Sequence, residues 1–219
     1  MSLAVAGAGH RYSERGPAVL SGVSLTIAPG ESVALMGPSG SGKTTLLGIL
    51  GLLFSPSEGE VLLDGSAIPR RRRTALRAGS FAWVFQGTNV LPRRSALDNA
   101  ALGLLARGVS LAEAEAAAAA ALAAVGVGQL AAKPANTLSG GELQRVCVAR
   151  AIAARPRFIL ADEPTGQLDH ANTEGVVEAL VASRPPGTAV IIATHDPEVA
   201  AHCDRIIRLR DGRVVEGEG

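Results

Sequence analysis

The apolar run SVALM (32–36) stops at GPSGSGKT (37–44), and TTLLGILGLL (44–53) follows at once with the length and apolarity of a buried helix. A strand, a glycine-rich turn and a helix in direct succession leave few folds open to the chain. The segment also fits G-x-x-x-x-G-K-[ST] in its required context of a strand before and a helix after. Gly37, Pro38, Ser39, Gly40, Ser41 and Gly42 would form the cradle, with glycines letting successive N–H groups point at phosphate oxygens. Lys43 would reach the β- and γ-phosphates, Thr44 would offer its hydroxyl to Mg²⁺, and Thr45 would hold the α-phosphate.

The rest of the chain repeats the alternation. VLLDG (61–65), FAWVF (81–85), RFILAD (157–162) and TAVIIATH (188–195) read as strands, and RIIRLRDGRVVE (205–216) as a hairpin around Asp211-Gly212. Residues 95–124 read as all helix, with Ser110 and Glu113 as a capping box at the start of one helix and Gly126 able to close it. Helices are expected again over 172–182 and 196–201. Strands alternating with helices predict an α/β fold whose mainly parallel sheet is covered on both faces. The helical block between the third and fourth core strands is expected to be an insertion, over about 87–155, within one domain spanning 1–219.

Composition narrows the function. With 219 residues and 47% hydrophobic content the chain can bury a real core. A net charge of +1 and 3% aromatics argue against a duplex-binding or base-stacking surface. Cys147 and Cys203 are too few for a disulfide framework and point to reduced thiols and a cytosolic setting. The N-terminus does not read as a signal peptide, and the alanine-rich stretch 116–132 is too weakly hydrophobic to span a bilayer. The run RRRR at 70–73 is expected to be a solvated helix start, with contact to lipid headgroups or a membrane partner as the alternative.

Two further clusters carry chemistry. Asp162 and Glu163 end an apolar strand, where the chain can turn so that both carboxylates face one ligand. Asp162 is the candidate for Mg²⁺, and Glu163 for the general base that polarises an attacking water. His195 and Gln86 end neighbouring strands, at the carboxyl edge where such sheets bind ligands. His195 is assigned beside the γ-phosphate, and the Gln86 amide to Mg²⁺ or water. The second cluster, TLSGGELQR (137–145), has two glycines and a hydroxyl at a helix start, which again suits an anion. One small chain thus carries two places to hold phosphate.

Together these residues resemble the nucleotide-binding domain of ABC transporters, over nearly the whole chain. GPSGSGKT is similar to the Walker A loop, FILADE to Walker B with its catalytic glutamate, and LSGGE (138–142) to the ABC signature. Gln86 matches the Q-loop, Gln167-Leu168-Asp169 the D-loop and His195 the switch histidine. The resemblance implies a P-loop NTPase core with an N-terminal antiparallel β subdomain and the inserted α-helical one. It implies that Tyr12 stacks on adenine, and that Asp169 joins the nucleotide site. It also implies a head-to-tail homodimer in which Ser139, Gly140, Gly141 and Glu142 close over ATP held by the partner's P-loop. DEPTGQLD (162–169) and VFQGTNVLPRRSALDNA (84–100) look like the branch of macrolide exporters and lipoprotein-release ATPases, with Glu142 where many of these proteins have glutamine.

The activity so implied is Mg²⁺-dependent ATP hydrolysis driving an integral-membrane permease. The protein would sit peripherally at the cytoplasmic face of the membrane, without inserting and without nucleic acid. Val90, Leu91 and Leu97 would anchor a short helix of that permease. ABC ATPases of DNA repair carry a long coiled coil between the two motifs, and the 96 residues from Lys43 to Ser139 leave no room for one. Ribosome-associated ABC factors carry two such domains, and a P-loop kinase would lack LSGGE with His195.

Overall fold

The computed structural model describes residues 1–166 and 170–215, with the backbone alone for 170–174. In chain order its strands are β1 (Leu3–His10), β2 (Leu20–Ile27), β3 (Ser32–Met36), β4 (Glu58–Leu63), β5 (Ser66–Ala67), β6 (Phe81–Val84), β7 (Phe158–Asp162), β8 (Ala189–Thr194), β9 (Arg205–Arg210) and β10 (Arg213–Val215). Its α-helices are α1 (Lys43–Leu50), α2 (Arg70–Ser80), α3 (Ala96–Leu105), α4 (Leu111–Ala124), α5 (Gly140–Ala153), α6 (His170–Ala182) and α7 (Pro197–Ala201). The larger sheet runs β10-β9-β3-β8-β7-β6, parallel except for β10. The smaller runs β2-β1-β4-β5 and is antiparallel throughout. The α/β class with an N-terminal antiparallel sheet is thus as expected.

Two apolar layers hold these parts together. In β7 and β8, Phe158, Leu160, Ala189, Ile191 and Ala193 face one layer, whereas Ile159, Ala161, Val190 and Ile192 face the other. Period-2 alternation survives here even though both faces are buried. The first layer meets α1 and the small sheet, so α1 has core on all sides: Leu46, Leu47, Ile49 and Leu50 are each fully buried. The second meets the helices between β6 and β7, through Ala100, Ala118, Leu122, Val146 and Ala149, and Val176 and Val177 of α6.

Within 95–124 the helical pattern breaks over 106–110, and the helix start expected at Ser110 forms. Gly108 adopts a left-handed φ of 79°, and Ser110 opens a new helix by accepting from the Glu113 N–H. The reciprocal half of that capping box is replaced: the Ser110 hydroxyl donates to Glu113 Oε2 at 2.7 Å. Complete capping boxes form instead at Ser95/Asp98 and Ser139/Glu142. The arginine run opens α2, which buries no residue, as a solvated start should. Arg73 nevertheless reaches Ser55 Oγ at 2.7 Å, and Arg77 the Leu52 carbonyl at 2.9 Å.

At the amino edge of the large sheet, the buried Ser32 donates its N–H and hydroxyl to Asp204 Oδ2 at 2.8 and 2.7 Å. The Asp204 N–H returns to Ser32 Oγ at 3.0 Å, joining the start of β3 to the segment entering β9. These donors hold the Asp204 carboxyl below the usual carboxylate range. Asp204→Ala strands two buried donors and should destabilise the fold by about 1–2 kcal/mol at neutral pH. Because the folded-state pKa is depressed, this contribution is present above the unfolded value of about 3.9 and is lost as pH falls through the folded one. Urea titrations should therefore separate the two proteins at about pH 7 and bring them together as the pH falls below the ordinary carboxylate range. Equal stability at neutral pH would dismiss the Ser32–Asp204 link.

Candidate active site

Register brings the predicted residues to one edge. Leu35 of β3 lies level with Ala193 of β8, which lies level with Asp162 of β7. Gly37, Glu163 and His195 therefore leave the sheet side by side at its carboxyl end.

The loop after β3 is held by close approach rather than by side chains. A Cβ on Gly37 would collide with the Leu209 carbonyl and come 2.7 Å from Ser41 Oγ. At Gly42, where φ is 101°, a Cβ would come 2.7 Å from Leu20 Cδ2 and 3.0 Å from the Val19 carbonyl. The Gly212 N–H donates to the Ser41 carbonyl at 3.2 Å, so the β9–β10 hairpin also braces the loop. Lys43 Nζ donates to the Gly37 and Pro38 carbonyls at 2.8 and 3.2 Å, and lies 3.7 Å from Glu163 Oε1.

Thr44 Oγ1 donates to Asp162 Oδ1 at 3.1 Å. Burial raises the Asp162 carboxyl above its usual range; the Thr44 hydroxyl opposes that, the Glu163 charge adds to it and Lys43 opposes it. A threonine hydroxyl against a carboxylate is the hard-oxygen donor pair that suits Mg²⁺. Glu163 has a left-handed φ of 44°, and its N–H is tied to the Ala193 carbonyl at 2.9 Å. This turn carries its carboxylate to the same side as its neighbour. His195 Nδ1 then sits 3.1 Å from both Glu163 oxygens.

A cavity of about 550 Å³ gathers Pro38, Ser39, Gly40, Gly42, Lys43, Thr44, Thr45, Gln86, Glu163 and His195, with Val19. Gln86 reaches it from beyond β6, its amide resting on the turn after Glu163: a Cβ on Gly166 would approach Gln86 Nε2 to 2.7 Å. Gly37, Ser41 and Asp162 lie just behind the lining. The buried Ser41 Oγ has no partner among the described residues, as suits a polar atom in an anion cradle. Tyr12 stands on the margin, largely exposed, with its hydroxyl 2.8 Å from Thr45 Oγ1 and its ring edge-on to His10 at 4.9 Å. Asp169 lies outside the described residues.

Ser139, Gly140, Gly141 and Glu142 do not line this cavity. Ser139 caps α5, accepting the Glu142 N–H at 3.3 Å and donating its own N–H to Glu142 Oε2 at 2.8 Å. Those bonds, backbone first, hold the Glu142 carboxyl below its ordinary range. Two buried amides that the sequence reading passed over join this helix and α3 to the Gln86 loop. Gln144 Nε2 donates to the Phe85 carbonyl at 3.0 Å. Asn99 accepts the Leu91 N–H at 2.7 Å and donates to the Leu91 and Ser95 carbonyls at 3.1 and 2.9 Å. The available signal was a polar residue at core spacing: Gln144 shares its helix face with Cys147 and Val148. Of the expected permease anchors, Leu91 is exposed, Val90 half-buried, and Leu97 packs into the helical core.

A strand-end acid pair, a phosphate cradle with its lysine, and a separate glycine-capped helix define an ATP-hydrolysing cassette. Residues 20–166 match the family model described as ABC transporter. The chain is 45% identical to the lipoprotein-releasing system ATP-binding protein LolD of Bordetella avium, over 93% of this chain and 92% of that one. It is similar to a dimeric bacterial ABC transporter cassette, with a TM-score of 0.85, 37% identity, and 98% and 97% of the two chains covered. A dimeric post-hydrolysis ATP-binding cassette bound to ADP and Pi gives a TM-score of 0.84 at 36% identity, with the same coverage. The chain belongs to the ABC transporter family. It is the family's ATP-binding domain, an ATPase that serves as motor for a membrane transporter complex.

Proposed function

We propose that the chain is the ATP-binding subunit of a lipoprotein-releasing system, working as a head-to-tail homodimer beneath an integral-membrane permease. One observation carries the dimer. The residues suited to the two phosphate-binding roles are built well, yet Lys43 and Ser139 do not line one cavity. A second copy turned head to tail would set Ser139, Gly140 and Gly141 of α5 over the phosphates on the first copy's loop, and the reverse, making two pockets. ATP then bridges the copies and stabilises the pair. Identity to LolD over nearly the full length supports the lipoprotein-release reading. It also supports a peripheral position at the cytoplasmic face; among the described residues no helix is long and apolar enough to cross a membrane.

Within each pocket, Lys43 moves from its loop carbonyls to the β- and γ-phosphates, and Thr45 holds the α-phosphate. Tyr12 packs on adenine, and Asp169 joins the site. A Mg²⁺ held by Thr44 and Asp162, with Gln86, would supply positive charge to the phosphate oxygens. Glu163 accepts a proton as water attacks the γ-phosphorus and the bond to the leaving ADP oxygen breaks. His195, within hydrogen-bond reach of both carboxylate oxygens, holds Glu163 in that pose. The whole chain, 1–219, acts as one domain with the helical insertion at about 87–155, and Gln144 and Asn99 couple that insertion to the Gln86 loop.

Glu163→Gln keeps the shape and removes the base, so turnover should fall by about 10²–10⁴-fold. ATP is then not consumed, and the variant should elute as a dimer in Mg-ATP and as a monomer without it. Adding Ser139→Arg should abolish that dimer without touching the variant's own phosphate loop; a dimer that survives refutes the trans role of α5.

The exposed Leu91, with Val90 beside it, offers the permease an apolar contact next to Gln86. Leu91→Asp should leave basal hydrolysis intact and suppress its stimulation by the reconstituted permease. Undiminished stimulation would move the docking surface elsewhere.

A further inference from the structure

The start of α5 already holds an anion. Glu142 places its carboxylate on the Ser139 N–H at 2.8 Å, while the Ser139 hydroxyl accepts from the Glu142 N–H. Gly140, the next residue, is exposed and Gly141 after it is buried; both lie in the first turn of α5, where N–H groups have no partner within the helix. A helix N-terminus carries roughly half a positive charge, and a carboxylate bound there more than offsets it. The end of α5 that would meet a γ-phosphate is therefore closer to net negative than a helix start usually is. Ser139 is exposed and Glu142 half-buried, so this charge lies at the surface through which a partner must approach.

We infer that Glu142 is a built-in competitor of the γ-phosphate: its carboxylate caps α5 in the separated subunit and repels ATP in the closed dimer, keeping that dimer weak and quick to open. This rests on the trans role proposed above for Ser139. Two separate features support it. The cap itself needs only an acceptor oxygen, which a glutamine also supplies, though without the charge that favours a carboxylate at a helix start. Among the described residues no ion pair involves Glu142, and its carboxylate is stabilised mainly by the Ser139 hydrogen bonds, with a smaller contribution from the Lys133 charge.

The test uses the full chain in the Glu163→Gln background, where Mg-ATP holds the dimer, with dimer dissociation followed by sedimentation. Glu142→Gln preserves the acceptor and removes the charge. It should tighten the ATP-dependent dimer about tenfold, the size of one partly screened charge repulsion, and the gain should shrink as salt is raised. With Glu163 intact, the same change should lower the KM for ATP while kcat falls, because opening becomes slow. Glu142→Ala removes cap and charge together, so its melting temperature separates loss of the cap from loss of repulsion. An unchanged or weaker dimer in Glu142→Gln, with a melting temperature like that of its parent, overturns the inference while the Ser139→Arg result still supports the trans pocket. A dimer that withstands Ser139→Arg overturns both.

Discussion

The close approach of two sheets to one loop is what the rest of this molecule depends on. Gly37 leaves no room for a side chain beneath the Leu209 carbonyl, and Gly42 none against Val19 and Leu20. β9 presses on the loop from one side and the small sheet from the other, so neither sheet can shift without opening the phosphate cradle. α1 begins at the end of this loop and is buried on all sides between the sheets, and that burial fixes the direction in which the loop's N–H groups point. Substrate affinity is thus tied to the packing of the whole core.

The catalytic role proposed for Glu163 depends on a second local constraint, the turn at that residue. An ordinary strand would send Asp162 and Glu163 to opposite faces. The left-handed backbone at Glu163, secured by its N–H bond to Ala193, keeps them together. Burial, with the Glu163 charge adding to it, raises the half-buried Asp162 carboxyl above the ordinary range. A strained, electrostatically crowded strand end of this kind is characteristic of a site built to bind charge of the opposite sign.

Much of this was legible from residue order. The apolar runs that became β3, β6, β7 and β8 are continuous because both sheet faces are covered, and each leads into a residue of the candidate site. β1 and β2 were legible only through the family resemblance. LAVAGAGH and LSGVSLTI carry glycines with left-handed φ at Gly7 and Gly22, and β1 changes register against its neighbour, so alternation fails just where it is needed. The helix start at Ser110 was legible from its Glu113 partner, while the turn at Gly108 just before it was hidden by the helix propensity on either side. Gln144 and Asn99 were invisible for another reason: their meaning lies in backbone groups of a distant loop, which no local pattern encodes. The separation of Lys43 from Ser139 is legible only as a question in the sequence, and the fold sharpens it into a claim about two copies.

That claim is tested most directly by mixing two defective proteins. Lys43→Ala spoils the phosphate loop and keeps the start of α5; Ser139→Arg does the reverse. A hybrid dimer then contains one wholly intact pocket and one doubly broken one. An equimolar mixture forms hybrids in about half of its dimers, so ATPase activity should recover to about a quarter of the wild-type value although each parent alone is inactive. A mixture no more active than the sum of its parents would mean that each ATP is hydrolysed within a single chain, and would contradict the shared pocket.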